Sequence, residues 1–304
     1  IALSGATHDV AADGVYMASL SKDDQARYIG WQGAFYNIAK IAATGGLVML
    51  AGVLIKHFTG DVSTLDAAAA AVAKRQGTVM AWTVIMAVIG VIMVLLGLYN
   101  AKFVPADRRD TSTERPGLKE TMVELGNVFV DLFRKRHIIY YILFIILYRF
   151  AEGFVMKIVP LFLKADRANQ GLGLSGEQIG LCYGTFGAAA FVIGSILAGY
   201  YVAHRGLQKS LFSLCCVFNL PFVAYTLLAI YQPESLWLIG GGIVLEYFGY
   251  GFGFVGLTLF MMQQIAPGKH QMAHYAFASG IMNLGVMLPG MLSGYVSDWL
   301  GYRD

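Results

Sequence analysis

Apolar residues fall into long blocks separated by short polar stretches, at roughly 1–19, 29–55, 78–101, 138–163, 178–203, 210–231, 236–265 and 272–296. Each block approaches the ~20 apolar residues that a helix needs to cross a ~30 Å hydrocarbon core. None shows the sustained apolar–polar alternation of a barrel strand, so the pattern predicts eight membrane-spanning helices and an all-α membrane protein. Trp31, Trp82, Trp237 and Trp299 fall near block ends, where amphipathic rings anchor at the membrane interface. The first block opens at Ile1 with no initiator Met or signal pattern, so the sequence reads as a piece of a longer chain.

The longest polar segment, 102–137, divides three blocks from five. Its first part holds Pro105, Asp107, Arg108, Arg109, Asp110 and Pro116 and reads as linker. Its second part repeats apolar residues at three- and four-residue steps, through Leu118, Met122, Leu125, Phe129, Leu132 and Phe133, before Arg134, Lys135 and Arg136. That spacing predicts an amphipathic helix on the cytoplasmic membrane face. A plain extension of the fourth span is the alternative. The expected organisation is 1–101 as part of one lobe, 102–137 as the connection and 138–304 as a second lobe.

Basic residues orient the spans. The loops after spans one, three, five and seven hold thirteen Lys and Arg, and those after spans two, four and six with the C-terminal tail hold six. The positive-inside rule puts the thirteen in the cytoplasm.

Composition agrees with a membrane setting: 57% of residues are hydrophobic and 13% charged, where soluble domains carry about 25% charge. The net charge of +3 comes without the aromatic-interleaved basic patch of a nucleic-acid binder. Cys182, Cys215 and Cys216 sit in apolar runs without ligand or disulfide spacing and read as packing residues. His57, His137, His204, His270 and His274 lie near loops, so no catalytic or metal-binding set forms at one membrane depth, and neither an enzyme nor a cofactor is expected.

Against that background, charges inside the spans carry the functional signal, because a charge at mid-bilayer costs several kcal/mol and usually lines a polar pathway or finds a partner. Asp9 and Asp13 are four apart and stack on one helical face. Two close carboxylates share a proton readily, a common basis for proton carriage, although one of them could instead cap or anchor the helix. His8 and Thr7 point elsewhere. Lys40 and Arg149 each lie eleven residues into spans entering from the cytoplasm, about 17 Å along a helix. Glu246, ten residues into a span entering from outside, reaches the same layer. Glu152 is one turn beyond Arg149 and can pair with it, as binding chemistry or as a purely structural ion pair. Lys157 is near enough to the outer end to snorkel. Glycines at 180, 184 and 187, at 249, 251, 253 and 256, and at 280, 285, 290 and 294 read mainly as sites of close helix approach. Pro160, Pro221 and Pro289 read as kinks.

Four segments together resemble a known family. Ser4-Gly-Ala-Thr-His-Asp9-Val-Ala-Ala-Asp13-Gly resembles the fourth-helix signature of AmpG-type muropeptide permeases, which stand with the acetyl-coenzyme A transporters in one branch of the major facilitator superfamily. Asn37-Ile38-Ala39-Lys40 corresponds to a cationic position in that family's fifth helix, Leu147 to Phe154 resembles its seventh, and Leu245-Glu246-Tyr247-Phe248-Gly249 its tenth. The resemblance implies that the chain covers about helices four to eleven of a twelve-helix or longer transporter, with 102–137 joining two lobes. It further implies a central cavity lined by Asp9, Asp13, Arg149, Glu152 and Glu246. The implied activity is proton-coupled import of a peptidoglycan fragment across the bacterial inner membrane by a monomer. Lys40 and Arg149 would meet substrate carboxylates, Tyr148, Tyr247 and Tyr250 sugar rings, and Asp9, Asp13, Glu152 and Glu246 the proton. Acetyl-coenzyme A or another anion is the alternative cargo, and a non-transporting membrane sensor is the alternative of another class. One departure stands out: the superfamily's loop motif Gly-x-x-x-Asp-Arg-x-Gly keeps Gly199 and Gly206 but has Ala203 and His204 for its charged pair.

Overall fold

A computed structural model describes residues 2–61, 66–104 and 118–301. The linker residues Pro105 to Pro116 and the tail residue Arg303 lie outside the described residues. The described chain is helical, without strands. Helix α1 is Ala2–Ser19, and α2, Lys22–Ile41, runs through a π-helical turn, Ala42–Leu47, into α3, Val48–Thr59. Next come α4, Ala67–Phe103, and α5, Leu118–Phe133, followed by α6, Ile138–Lys164. Helix α7, Gly176–Ile179, passes through a second π-helical turn, Gly180–Gly187, into α8, Ala188–Arg205. The remaining helices are α9, Leu207–Asn219, α10, Phe222–Tyr231, α11, Leu236–Phe260 with a π-helical end at Met261–Ile265, and α12, Gln271–Leu300.

Among the described residues, six helical stretches are long and apolar enough to cross a membrane: Lys22–Thr59, Ala67–Phe103, Gly176–Arg205, Leu207–Tyr231, Leu236–Ile265 and Gln271–Leu300. They match six of the eight expected spans. The other two, α1 and α6, form as helices at the expected places and carry Asp9, Asp13, Arg149, Glu152 and Lys157, the charges that set them apart from ordinary lipid-facing segments. Pro160 and Pro289 are inside α6 and α12, whereas Pro221 ends one helix and starts the next, splitting the sixth span into α9 and α10.

The described helices form two compact units. Residues 38–114 include the α3–α4 hairpin, in which Gly77 packs on the Thr59 backbone. Much of α4 beyond that contact is apolar and exposed, from Val91 to Leu98, as expected of a helix surrounded by hydrocarbon. The larger unit joins residues 1–37 to 115–304. Its centre is α11: 61% of its most apolar stretch is buried, against 11% for α4. Helices α8, α9 and α10 flank α11, and α6 packs along α12.

Missing side chains allow these close approaches. A Cβ on Gly153 of α6 would come within 2.5 Å of the Val286 carbonyl oxygen of α12, and one on Gly249 of α11 within 2.4 Å of the Val217 carbonyl oxygen. The packing role expected of the glycines therefore holds at Gly187, Gly249, Gly251, Gly253, Gly256, Gly285 and Gly290, with Gly153 a further such site, whereas Gly180, Gly184, Gly280 and Gly294 face open space.

The α1–α2 turn is tied together by Gln25, which is buried and donates to the carbonyls of Met17 and Leu20, while Tyr16 donates to the Gln25 carbonyl at 2.8 Å. Helix α5 forms over the expected residues and is not an extension of α6, because a turn intervenes and His137 adopts a left-handed φ of 64°. Its inner side docks through Leu132, which is 1% exposed, and through Phe129 edge-on to Phe277 of α12. Just past α5, the Lys135 ammonium donates to the carbonyls of Ile265 and, at 2.7 Å, Pro267, and burial pushes it below the usual lysine range. Met122 and Leu125 remain exposed, whereas Phe133 also packs edge-on to Phe277.

Candidate functional site

Two polar clusters stand out in the larger unit. The first is built on α6 and α11. Arg149 and Glu152 share one face of α6, and the guanidinium donates twice to the carboxylate, Nε to Oε2 and Nη2 to Oε1, both at 2.6 Å. The pair is inside the protein: Arg149 is 6% and Glu152 2% exposed. The guanidinium also lies over the Phe254 ring of α11, 5.3 Å from its centroid, so the cation is held on two sides. Glu246 of α11 is 6% exposed and within electrostatic reach of Glu152. Tyr250, one turn further along α11, feels Arg149, Glu152 and Glu246 together. Its half-buried ring packs against Phe191 at 5.0 Å. The half-buried Tyr247 packs edge-on to Tyr183 at 5.2 Å. Four of the sequence-predicted charges and aromatics, Arg149, Glu152, Glu246 and Tyr250, thus meet in one cluster.

Tyr148 is a neighbour with different geometry. It is 2% exposed, donates to the Gly253 carbonyl at 2.8 Å, and packs against Phe144 and Phe218 in the apolar core. Those bonds give it a packing role in this conformation.

The second cluster joins α1, α2 and α12. Asp13 accepts from the Gln32 side-chain amide at 3.1 Å and lies within electrostatic reach of Tyr275 of α12. Asp9 is exposed one turn before it and acts on it electrostatically, as the four-residue spacing requires. Lys40 belongs to the smaller unit, where it is exposed near the end of α2. A cleft of about 720 Å³ under α5, lined by residues such as Lys119, Asp131, Lys269 and His270, shares no residue with either cluster. Among the described residues, no group of three or more His, Cys, Asp or Glu side chains is placed to hold a metal ion.

Comparison with known proteins fits this helical arrangement. A model of the Major Facilitator Superfamily matches residues 2–294. The chain belongs to that superfamily. It is also similar to "Putative transporter AmpG 2" of Rickettsia prowazekii, 23% identical over 185 residues, or 58% of this chain and 41% of that protein. The protein of the same name from Rickettsia typhi is 22% identical over the same coverage, and "Putative transporter AmpG 1" of Rickettsia felis is 23% identical over 60% of this chain and 39% of its own length. The matches therefore span about two fifths of these curated relatives. Family, helical fold and multi-pass membrane character agree with the expectations from the sequence.

Ranking residues by formal charge overlooked several partners. Gln32 and Tyr275 flank Asp13, Phe254 faces Arg149, and Tyr225 donates to the Glu246 carboxylate at 3.1 Å. A signal was present for Tyr225, since a hydroxyl inside an apolar span needs a hydrogen-bond partner.

Proposed function

We propose that the full-length protein is a proton-coupled importer of anionic peptidoglycan fragments, anhydro-muropeptides, across the inner membrane of a bacterium. The observation that carries this reading is the buried Arg149–Glu152 pair beside Glu246 and Tyr250. A guanidinium held by its own acid is a stored binding site: protonating Glu152 releases Arg149, whose two-pronged donor then suits a substrate carboxylate. Substrate binding and protonation of Glu152 thereby favour each other, which is coupling in its simplest form. Substrate leaving on the other side returns Arg149 to Glu152 and expels the proton.

In this reading Glu246, Asp9 and Asp13 are further proton-carrying groups, and Tyr247 and Tyr250 offer ring faces and hydroxyls to the sugars. Lys40 is proposed separately as a cationic substrate contact. Tyr148 is left out of the contacts because its hydroxyl is bonded inside the core. Residues 1–101 and 138–304 are taken as parts of two lobes joined by 102–137. The names of the Rickettsia relatives support the AmpG-type assignment.

The test is uptake of labelled anhydro-muropeptide into proteoliposomes holding the full-length protein under an imposed pH gradient. Accumulation that collapses with a protonophore is expected, with Arg149→Gln losing carboxylate-bearing muropeptide more than an uncharged disaccharide. Uptake indifferent to the protonophore would remove the coupling, and uptake of acetyl-coenzyme A in place of muropeptide would replace the cargo.

A further inference from the structure

Glu246 is met by hydroxyls arranged in a line. Tyr225 of α10 donates to its Oε2 at 3.1 Å, and the Tyr183 hydroxyl stands 3.4 Å from the Tyr225 hydroxyl. Exposure falls along this line: Tyr183 is half-buried, Tyr225 is 7% exposed and Glu246 6%. The three residues come from three separate helical segments, so no local repeat of the sequence produces the alignment.

Each position has a structural cause. Tyr183 lies in the π-helical turn Gly180–Gly187, and an extra residue per turn rotates the side chains that follow out of the α-helical register. Such turns often mark functional positions. Gly187, at the end of the same turn, leaves room for Tyr247, whose ring an added Cβ would approach to 3.1 Å, and Tyr247 in turn packs edge-on to Tyr183. On the other side, the bare backbone of Gly249 admits Pro221 and the Val217 carbonyl, which brings the start of α10 against α11 and Tyr225 to Glu246. Tyr225 stands six residues before the end of α10, and Glu246 ten residues after the start of α11. Both helix ends belong to the 231–236 connection, which the basic-loop asymmetry puts outside, so Tyr225 is about 9 Å and Glu246 about 15 Å in along their helices.

We propose that Tyr183 and Tyr225 form a proton relay from the outer side to Glu246, resting on the reading of Glu246 as a proton-carrying group. An outside water gives a proton to the Tyr183 oxygen, Tyr183 passes its own hydroxyl proton to Tyr225, and Tyr225 passes its own to Oε2 of Glu246. Each phenol ends neutral, and the sum is one proton moved from water to the carboxylate. Rotation of the two hydroxyls resets the line. Among the described residues, the groups facing Glu246 are Tyr225 from α10 and Glu152 from α6, with Tyr183 behind Tyr225 and Tyr247 and Tyr250 on α11 itself. Arg149 lies in the same cluster and balances the second acid.

The test measures protonation without substrate. Full-length protein in proteoliposomes receives a pH jump, and the carboxyl band that Glu246→Gln removes is followed by time-resolved infrared difference spectroscopy. Tyr225→Phe and Tyr183→Phe keep the rings, and each is expected to slow the appearance of that band about tenfold or more, the low end of what a positioned proton donor contributes. Neither is expected to change its final amplitude by more than a small fraction. A structural role predicts the opposite, a shifted midpoint with an unchanged rate. Wild-type rates in both variants would overturn the relay. If Tyr225→Phe does not fold, Tyr183→Phe decides alone, since Tyr183 is half-buried. Because no muropeptide is present, failure of the relay and failure of the proposed cargo are separate results.

Discussion

Replacing Arg149 by Gln removes both bonds to Glu152 and leaves a carboxylate that is 2% exposed without its cation. Both side chains of the pair are nearly inaccessible, so bulk screening gives little relief. Breaking a buried pair from one side costs about 3–5 kcal/mol, and losing the guanidinium over Phe254 adds about 0.5–2 kcal/mol.

Glu152→Gln leaves an unpaired buried guanidinium, which cannot neutralise itself. The double variant removes both charges and should cost less than the sum of the singles by about 2 kcal/mol or more. Equilibrium unfolding of the purified full-length protein in mixed micelles at pH 7 measures all three. Additive penalties would refute the account of the pair as a mutually dependent buried unit.

Two further outcomes are expected. Tyr148→Phe should lose about 1 kcal/mol of stability with its bond to the Gly253 carbonyl while keeping muropeptide uptake near wild type, and a large rise in KM would restore it as a substrate contact. Ser112→Cys and Ser63→Cys, both at positions outside the described residues, should react with an impermeant thiol reagent from opposite sides of the membrane, Ser63→Cys from outside; labelling of Ser112→Cys in intact cells would invert the topology.

The reach of the sequence follows from the range of the interactions involved. The spans were legible because hydrocarbon imposes one length and one polarity on every crossing helix, and the 236–265 block coincides with α11 and its π-helical end. The Arg149–Glu152 pair was legible because three residues along a helix bring two side chains together whatever else the chain does. Tyr148 adjoins Arg149 in sequence, but adjacent residues point about 100° apart on a helix, and the wall that α11 presents to that direction is apolar core.

What stayed out of reach was pairing between helices. Tyr225 and Glu246 are 21 residues apart and Tyr183 and Tyr225 42, distances over which periodicity carries no information. Their meeting depends on two local irregularities, a π-helical turn at 180–187 and a proline break at 221, that interrupt the regular repeat from which faces are counted. A straight α-helix through either segment would direct its tyrosine to another side. The irregularities therefore act as the positioning elements, and shifting the register of the π-helical turn by deleting one residue should detach Tyr183 from Tyr225 while leaving the Arg149–Glu152 pair in place.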